Sequence, residues 1–364
     1  MDDRLKLMLL LNSVNANTSA LAKFLSLGIS PRELWNPSKT DAASEVFNEK
    51  TLSKIRKANE GAWAENESER AEKLGVRIIT VDDDDYPQTL FDLKNAPLVL
   101  YVRGDLNFSD KKRVGVVGTR RMSAYGKEVS QRLGKACAKH GIALISGGAW
   151  GVDGTSQSAC CDNGGKTFAV LGTGVAMAYP AENKKLFDKI AENGALVSEF
   201  PLGLKGEPWH FPQRNRIVAA LSEKIVVVEA PVKSGSMITA RIAIELGREV
   251  WAVPRRIYDS NAEGTNRLIY DGAFPFIGED EFLSACGVNV AADAVKDSGT
   301  KISLSPEERR ICEALTENEA LTVDKLAVTV KISAADVLKN IAILSSKGIV
   351  YMSSPGRYSV KGTF

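Results

Sequence analysis

The stretch Val114-Gly115-Val116-Val117-Gly118-Thr119-Arg120 decides how this chain is read. A short run rich in β-branched valine ends in glycine, a hydroxyl residue and a cation, the pattern of a buried strand feeding a tight turn into a helix. Toward the C-terminus the pattern recurs. Strands are predicted at Val114–Gly118, Ala143–Ser146, Thr167–Leu171, Ala195–Ser198, Ile225–Glu229, Glu249–Val253 and Phe274–Ile277. Helices are predicted near Tyr125–Lys139, Thr155–Asp162, Glu182–Asn193, Gln213–Leu221 and Met237–Leu246. Such alternation predicts an α/β fold, a Rossmann-like, doubly wound parallel sheet covered on both faces.

Before this region the chain reads as helices. Leu5, Leu9 and Leu10 recur at helical spacing, Ser19–Leu27 repeats the pattern, Ser30-Pro31 fits a helix start, and residues 51–73 form one long charged helical stretch. The acidic run Asp82–Asp85 reads as a solvated turn. Residues 288–303 are small and polar with no apolar period, which predicts a linker. Beyond it Ser305-Pro306-Glu307-Glu308 is a capping box. Three short helices and a hairpin around Pro355-Gly356 then predict a winged helix over 304–364. The expected organisation is a helical domain over 1–75, the α/β domain over 76–287 with its core from about residue 110, the linker, and the winged helix.

Composition narrows the function classes. With 47 Lys plus Arg against 45 Asp plus Glu, the net charge of +2 gives no global basic footprint, so nucleic-acid binding would have to rest on local clusters. Five cysteines without a CxxC pair and two histidines disfavour a zinc site, and the odd thiol count points to a reducing cytoplasm. No apolar run is long enough to span a membrane.

In an open parallel sheet the ligand sits outside the carboxyl ends of the strands. Here those ends carry Gly118-Thr119-Arg120, Ser146-Gly147-Gly148, Gly172-Thr173-Gly174 and Ser234-Gly235-Ser236. Glycine lets backbone N–H groups approach an anion, and each loop opens a helix whose dipole favours negative charge. Neither G-x-G-x-x-G nor a P-loop motif occurs, so no nucleotide cofactor is expected. Phe211-Pro212-Gln213-Arg214-Asn215-Arg216 places two arginines at a helix start, against the dipole, as if answering an external anion. An ion pair with a loop acid such as Glu199 is the alternative.

These motifs occur in one order: Gly118-Thr119-Arg120, Gly151-Val152-Asp153-Gly154, Tyr179-Pro180 with Asn183, Ser198-Glu199-Phe200-Pro201, Phe211–Arg216, Ser234-Gly235-Ser236 and Ala252-Val253-Pro254. Together they resemble the bacterial DNA-processing protein A family (DprA, also called Smf). The resemblance implies a sterile-alpha-motif-like helical domain at the N-terminus. It also implies a non-catalytic, homodimeric protein that binds and protects incoming single-stranded DNA in natural transformation and helps load the RecA recombinase. By matching motif, Arg120, Arg214 and Arg216 would hold phosphates. Gly118, Thr119, Asn183, Asn215, Ser234 and Ser236 would shape the pocket, with Gly147 and Gly235 in its loops and Lys184 adding charge.

Three positions depart from the pattern: Trp150 where the family has Arg or Lys, Gln157 for His, and Arg255 for Gly, followed by Arg256. Arg255 and Arg256 would shift the path of the DNA. Two other readings stay open: a sensor of a nucleotide-derived signal with the winged helix as output, and a nucleotide-processing hydrolase. The hydrolase would need an acid–base carboxylate, and none follows Ser234-Gly235-Ser236 until Glu245.

Overall fold

The structure, a computed structural model, describes residues 1–28, 30–36, 42–108, 112–289, 304–318, 320–354 and 356–360. Nearly all of the expected linker, and Pro355 of the terminal turn, lie outside them. The chain divides into two compact units, Met1–Val288 and Asn289–Phe364.

The first unit opens with α1 (Asp3–Ser13), α2 (Thr18–Ser26), α3 (Glu49–Glu60) and α4 (Trp63–Lys73). Side chains cap the first three: Asp2, Asn17 and Asn48 each accept a backbone N–H of the first turn. The single helix expected over 51–73 is two, because the chain breaks at Gly61 and at Ala62, which takes a left-handed φ of 49°. Alternation then begins: β1 (Val76–Thr80), β2 (Val99–Gly104), β3 (Arg113–Val117), α5 (Ala124–Lys139), β4 (Ala143–Ser146), α6 (Val152–Asp162), β5 (Thr167–Val170), α7 (Lys184–Asn193) and β6 (Ala195–Ser198). It continues with α8 (His210–Leu221), β7 (Lys224–Val227), α9 (Gly235–Glu245), β8 (Glu249–Ala252), α10 (Glu263–Tyr270), β9 (Phe274–Pro275) and α11 (Glu279–Ala285).

These strands form one sheet in the order β1-β2-β6-β5-β4-β3-β7-β8-β9. From β6 to β9 every neighbouring pair is parallel, while β1–β2 and β2–β6 are antiparallel. The sheet winds outward from β3 through β4 and β5 to β6, and the chain then returns to lay β7 on the other side of β3. The crevice between the carboxyl ends of β3 and β7 is thus the topological switch point.

Over strands β2 to β8 both faces of the sheet pack against other elements, by the period-two alternation of strand side chains. Leu100, Val102, Phe168, Val170, Ala195 and Val197 join one core with residues of α8, α9 and α10. Their neighbours Val99, Tyr101, Ala169 and Leu196 join another with Leu7–Leu11, Phe24, Leu52 and Ile55 of the N-terminal helices. Each fully buried aliphatic side chain contributes about 1.5–3 kcal/mol.

The second unit contains α12 (Pro306–Glu317), α13 (Val323–Val330) and α14 (Ala334–Ser346), with β10 (Leu321–Thr322), β11 (Val350–Ser354) and β12 (Arg357–Val360) in the antiparallel order β10-β12-β11. Its capping box is formed: Ser305 Oγ accepts the Glu308 N–H at 3.1 Å, and Glu308 accepts the Ser305 N–H at 2.7 Å. Among the described residues no helix is long and apolar enough to cross a membrane.

Candidate functional site

A cleft of about 650 Å³ opens at the switch point. Gly118, Thr119, Arg120 and Arg121 after β3, Gly147 after β4, and Ser234, Gly235 and Ser236 at the start of α9 line it, facing Phe211, Arg214 and Asn215 of α8. Of the residues singled out by sequence, it gathers nine and leaves out Asn183, Lys184 and Arg216.

The arginines separate sharply. Arg120 is exposed, its guanidinium 5.3 Å from the centre of the Phe211 ring. Arg121, a residue sequence reasoning passed over, is exposed at the same rim. Its signal was its place as a second cation in the loop that Gly118 opens. Among the described residues neither side chain has an acid or hydrogen-bond partner.

Arg214 is instead 4% exposed. Its Nη1 donates to the carbonyls of Gly147, at 2.5 Å, and Val170, and its Nε donates to Asn215 Oδ1 at 3.2 Å. It therefore ties the ends of β4 and β5 to α8. Burial pushes its pKa down to about 10 against the pull of Asp153, with Arg120 adding to the depression. Burial likewise raises the Asp153 carboxyl, opposed by Arg214 and by N–H donors that include Gly147 at 3.1 Å.

Arg216 does not reach the cleft. It pairs with Glu199, the two side chains 13% and 6% exposed. The alternative reading of this arginine, an ion pair with a loop acid, is the observed geometry. Lys184 is exposed on α7 and bridges to Asp188 at 3.0 Å, which also holds Arg103. Asn183 supports a loop from behind, donating to the Gly148 carbonyl at 2.9 Å.

The rest of the lining is polar or aromatic. Asn215 Nδ2 donates to the Gly235 carbonyl at 3.0 Å, and Ser234 and Ser236 share a hydroxyl contact at 2.9 Å. Tyr179 packs on Phe211 with ring centres 5.3 Å apart. The missing β-carbon of Gly172 admits that ring: a Cβ there would lie 2.8 Å from Phe211.

Glu229, which follows β7 and is wholly buried, organises the rim. It accepts the Ser123 N–H at 3.0 Å, the Ser123 hydroxyl at 2.5 Å and Asn261 Nδ2 at 3.1 Å, and it pairs with Arg255. Arg255 thus turns inward, also holding Asp259 at 3.0 Å and lying over Tyr125 at 5.3 Å. The expectation that Arg255 redirects DNA gives way to this role, because the buried Glu229 charge demands a partner. Gln157, where the pattern has His, is buried and satisfied: its Oε1 accepts the Gly148 N–H at 3.1 Å, and its Nε2 donates to Thr167 and Phe168. Trp150 stands at the rim, 47% exposed.

Guanidinium groups without an acid or hydrogen-bond partner among the described residues, hydroxyls and a half-buried aromatic thus meet at the switch point of an α/β sheet, a set of groups whose chemistry suits an anion. Comparison places this protein more closely. The chain belongs to the DNA recombination-mediator protein A family, whose model matches residues 77–287. It is 37% identical to protein Smf of Synechocystis over 247 residues, covering 67% of this chain and 61% of that protein, so the match spans less than two thirds of the relative's length. Its structure resembles DNA processing protein A of Streptococcus pneumoniae with a TM-score of 0.65 at 28% identity, covering 78% of this chain and 98% of that one. It also resembles DNA processing protein A of Helicobacter pylori, a protein with a single-stranded DNA binding mode, with a TM-score of 0.53 at 32% identity over 57% of this chain and 95% of that one.

Proposed function

We propose that this protein is a non-catalytic mediator that binds incoming single-stranded DNA during natural transformation, protects it and helps load the RecA recombinase. The observation that carries this reading is the pair of exposed, unpaired guanidinium groups of Arg120 and Arg121 beside Phe211 and Tyr179 in an open cleft. Arginines on phosphates and a ring under a base are how single strands are held without regard to sequence, each stack worth about 1–3 kcal/mol. The single-strand binding of the Helicobacter relative supports it. Asp153 and Glu229 are engaged in holding loops, which supports a binding role over hydrolysis.

In this reading the sheet is a Rossmann-like, doubly wound platform, the N-terminal helices a sterile-alpha-motif-like element and the C-terminal unit a winged helix. The protein works in the cytoplasm, where its five buried thiols stay reduced, and as a homodimer. The edge strand β9, with Tyr270, Phe274 and Ile277 exposed around it, fits a second copy.

Fluorescence anisotropy of a labelled single strand against a duplex of equal length, across a salt series, tests the reading. Salt-sensitive binding that prefers the single strand is expected. Absent binding by the folded protein refutes it, and a monomer in sedimentation removes the dimer from it.

A further inference from the structure

The cleft does not end at Arg120. A small recess lined by Arg120, Tyr179, Phe211 and Trp150 continues it. Beyond Trp150 lies a second groove of about 440 Å³, walled by α5, α6 and the start of α7. Trp150 borders both spaces, and Ala149 lines both the main cleft and the groove, so the three are one surface.

The groove is built for an anion. Lys127, Gln131 and Lys135 line it from α5, each exposed. Their four-residue spacing stacks them on one helix face over about 12 Å, two turns of helix. Among the described residues neither lysine has an acid partner. The acid in the lining, Asp162, is already held by Lys189 at 2.8 Å and by Ser158 at 3.1 Å. Two free ammonium groups thus face a groove that an exposed indole joins to the arginine cleft.

We propose that a single strand held in the main cleft crosses Trp150 and continues along α5, with Lys127 and Lys135 on its phosphates and the indole under a base. The inference rests on the single-strand reading of that cleft. It also accounts for Trp150 at a position where the family resemblance calls for a cation: the charge comes instead from the neighbouring helix, and the vacated position offers a stacking face.

The experiment compares labelled oligothymidylates of about six and about twenty nucleotides, since one binding site takes up roughly 4–16. In Lys127→Gln/Lys135→Gln, affinity for the long strand should fall about tenfold, with its salt slope shallower by about 1.4, two phosphate contacts of single strand. The short strand should be unaffected. Trp150→Ala should also weaken the long strand alone by about tenfold, with Trp150→Phe restoring most of it. Wild-type affinity and slope for the long strand in the lysine variant overturn the extended path, and so does an equal loss on both lengths. If the wild-type protein binds neither oligonucleotide, the reading of the main cleft falls, and the extension with it.

Discussion

Arg120, Arg214 and Arg216 are alike on paper, and burial gives them different work. Arg120 is free to meet a phosphate. Arg120→Ala should lower single-strand affinity and reduce the salt slope by about 0.7, with the melting temperature unchanged. Arg214→Ala should instead destabilise the fold by about 3 kcal/mol or more, because two buried carbonyls and Asp153 lose their cation. Anisotropy beside thermal melting separates the two. An Arg120→Ala protein with an unaltered slope, or an Arg214→Ala protein that melts like wild type, contradicts the assignment. Arg216 adds a pH test. Burial raises the Glu199 carboxyl, and Arg216 holds it down. Arg216→Met removes that restraint, so the native-state pKa rises further above its unfolded value. The native protein then takes up protons more readily than the unfolded chain, and the variant loses stability as pH rises through that window. Its deficit against wild type should be large at pH 7 and shrink toward about pH 4, where carboxyls protonate. Urea midpoints at both pH values measure it, and a pH-independent deficit would count against the pair.

At the scale of elements, the parallel strands were legible because they are short apolar runs, and β3, β4, β5 and β6 close on glycine or a hydroxyl. β1 and β2 were not. β2 is buried on both faces and so lacks alternation, and its partner β6 lies far along the chain, Tyr101 opposite Ser198. The break between α3 and α4 was hidden because Ala62, a good helix former, takes the left-handed conformation there. α8 begins at His210 rather than Gln213, since Pro212 is tolerated in a first turn. The loops of the site were readable from their glycines, but the inward turn of Arg214 was not, because only the tertiary fold shows what lies under Gly147. That loop supports a sharp test. A Cβ on Gly147 would lie 2.5 Å from Arg214 Nη2 and 2.6 Å from Asp153 Oδ2. Gly147→Ala must therefore displace a buried charged group, and should cost about 1–3 kcal/mol together with much of the single-strand affinity. Chemical denaturation that shows wild-type stability would mean the loop relaxes freely and carries no such constraint.

Across the whole molecule the two units are unequal in what they offer a polyanion. The chain is close to neutral at +2, so steering depends on where free cations stand. Met1–Val288 holds the whole cleft, the second groove and its own cores, and the family match ends at residue 287. In the C-terminal unit Lys347 is committed to Glu308 at 2.7 Å, and α14 exposes Leu338 and Ile343 beside the single cation Lys339. A duplex reader wants several cations and polar tips on that helix. A chain ending at Val288 should therefore fold and keep its single-strand affinity within about threefold, less than 1 kcal/mol, with the same salt slope. Anisotropy of the shortened and full chains on one oligonucleotide decides it. A large loss, with a shallower slope, would place phosphate contacts on the C-terminal unit and make it part of the binding surface rather than a separate module.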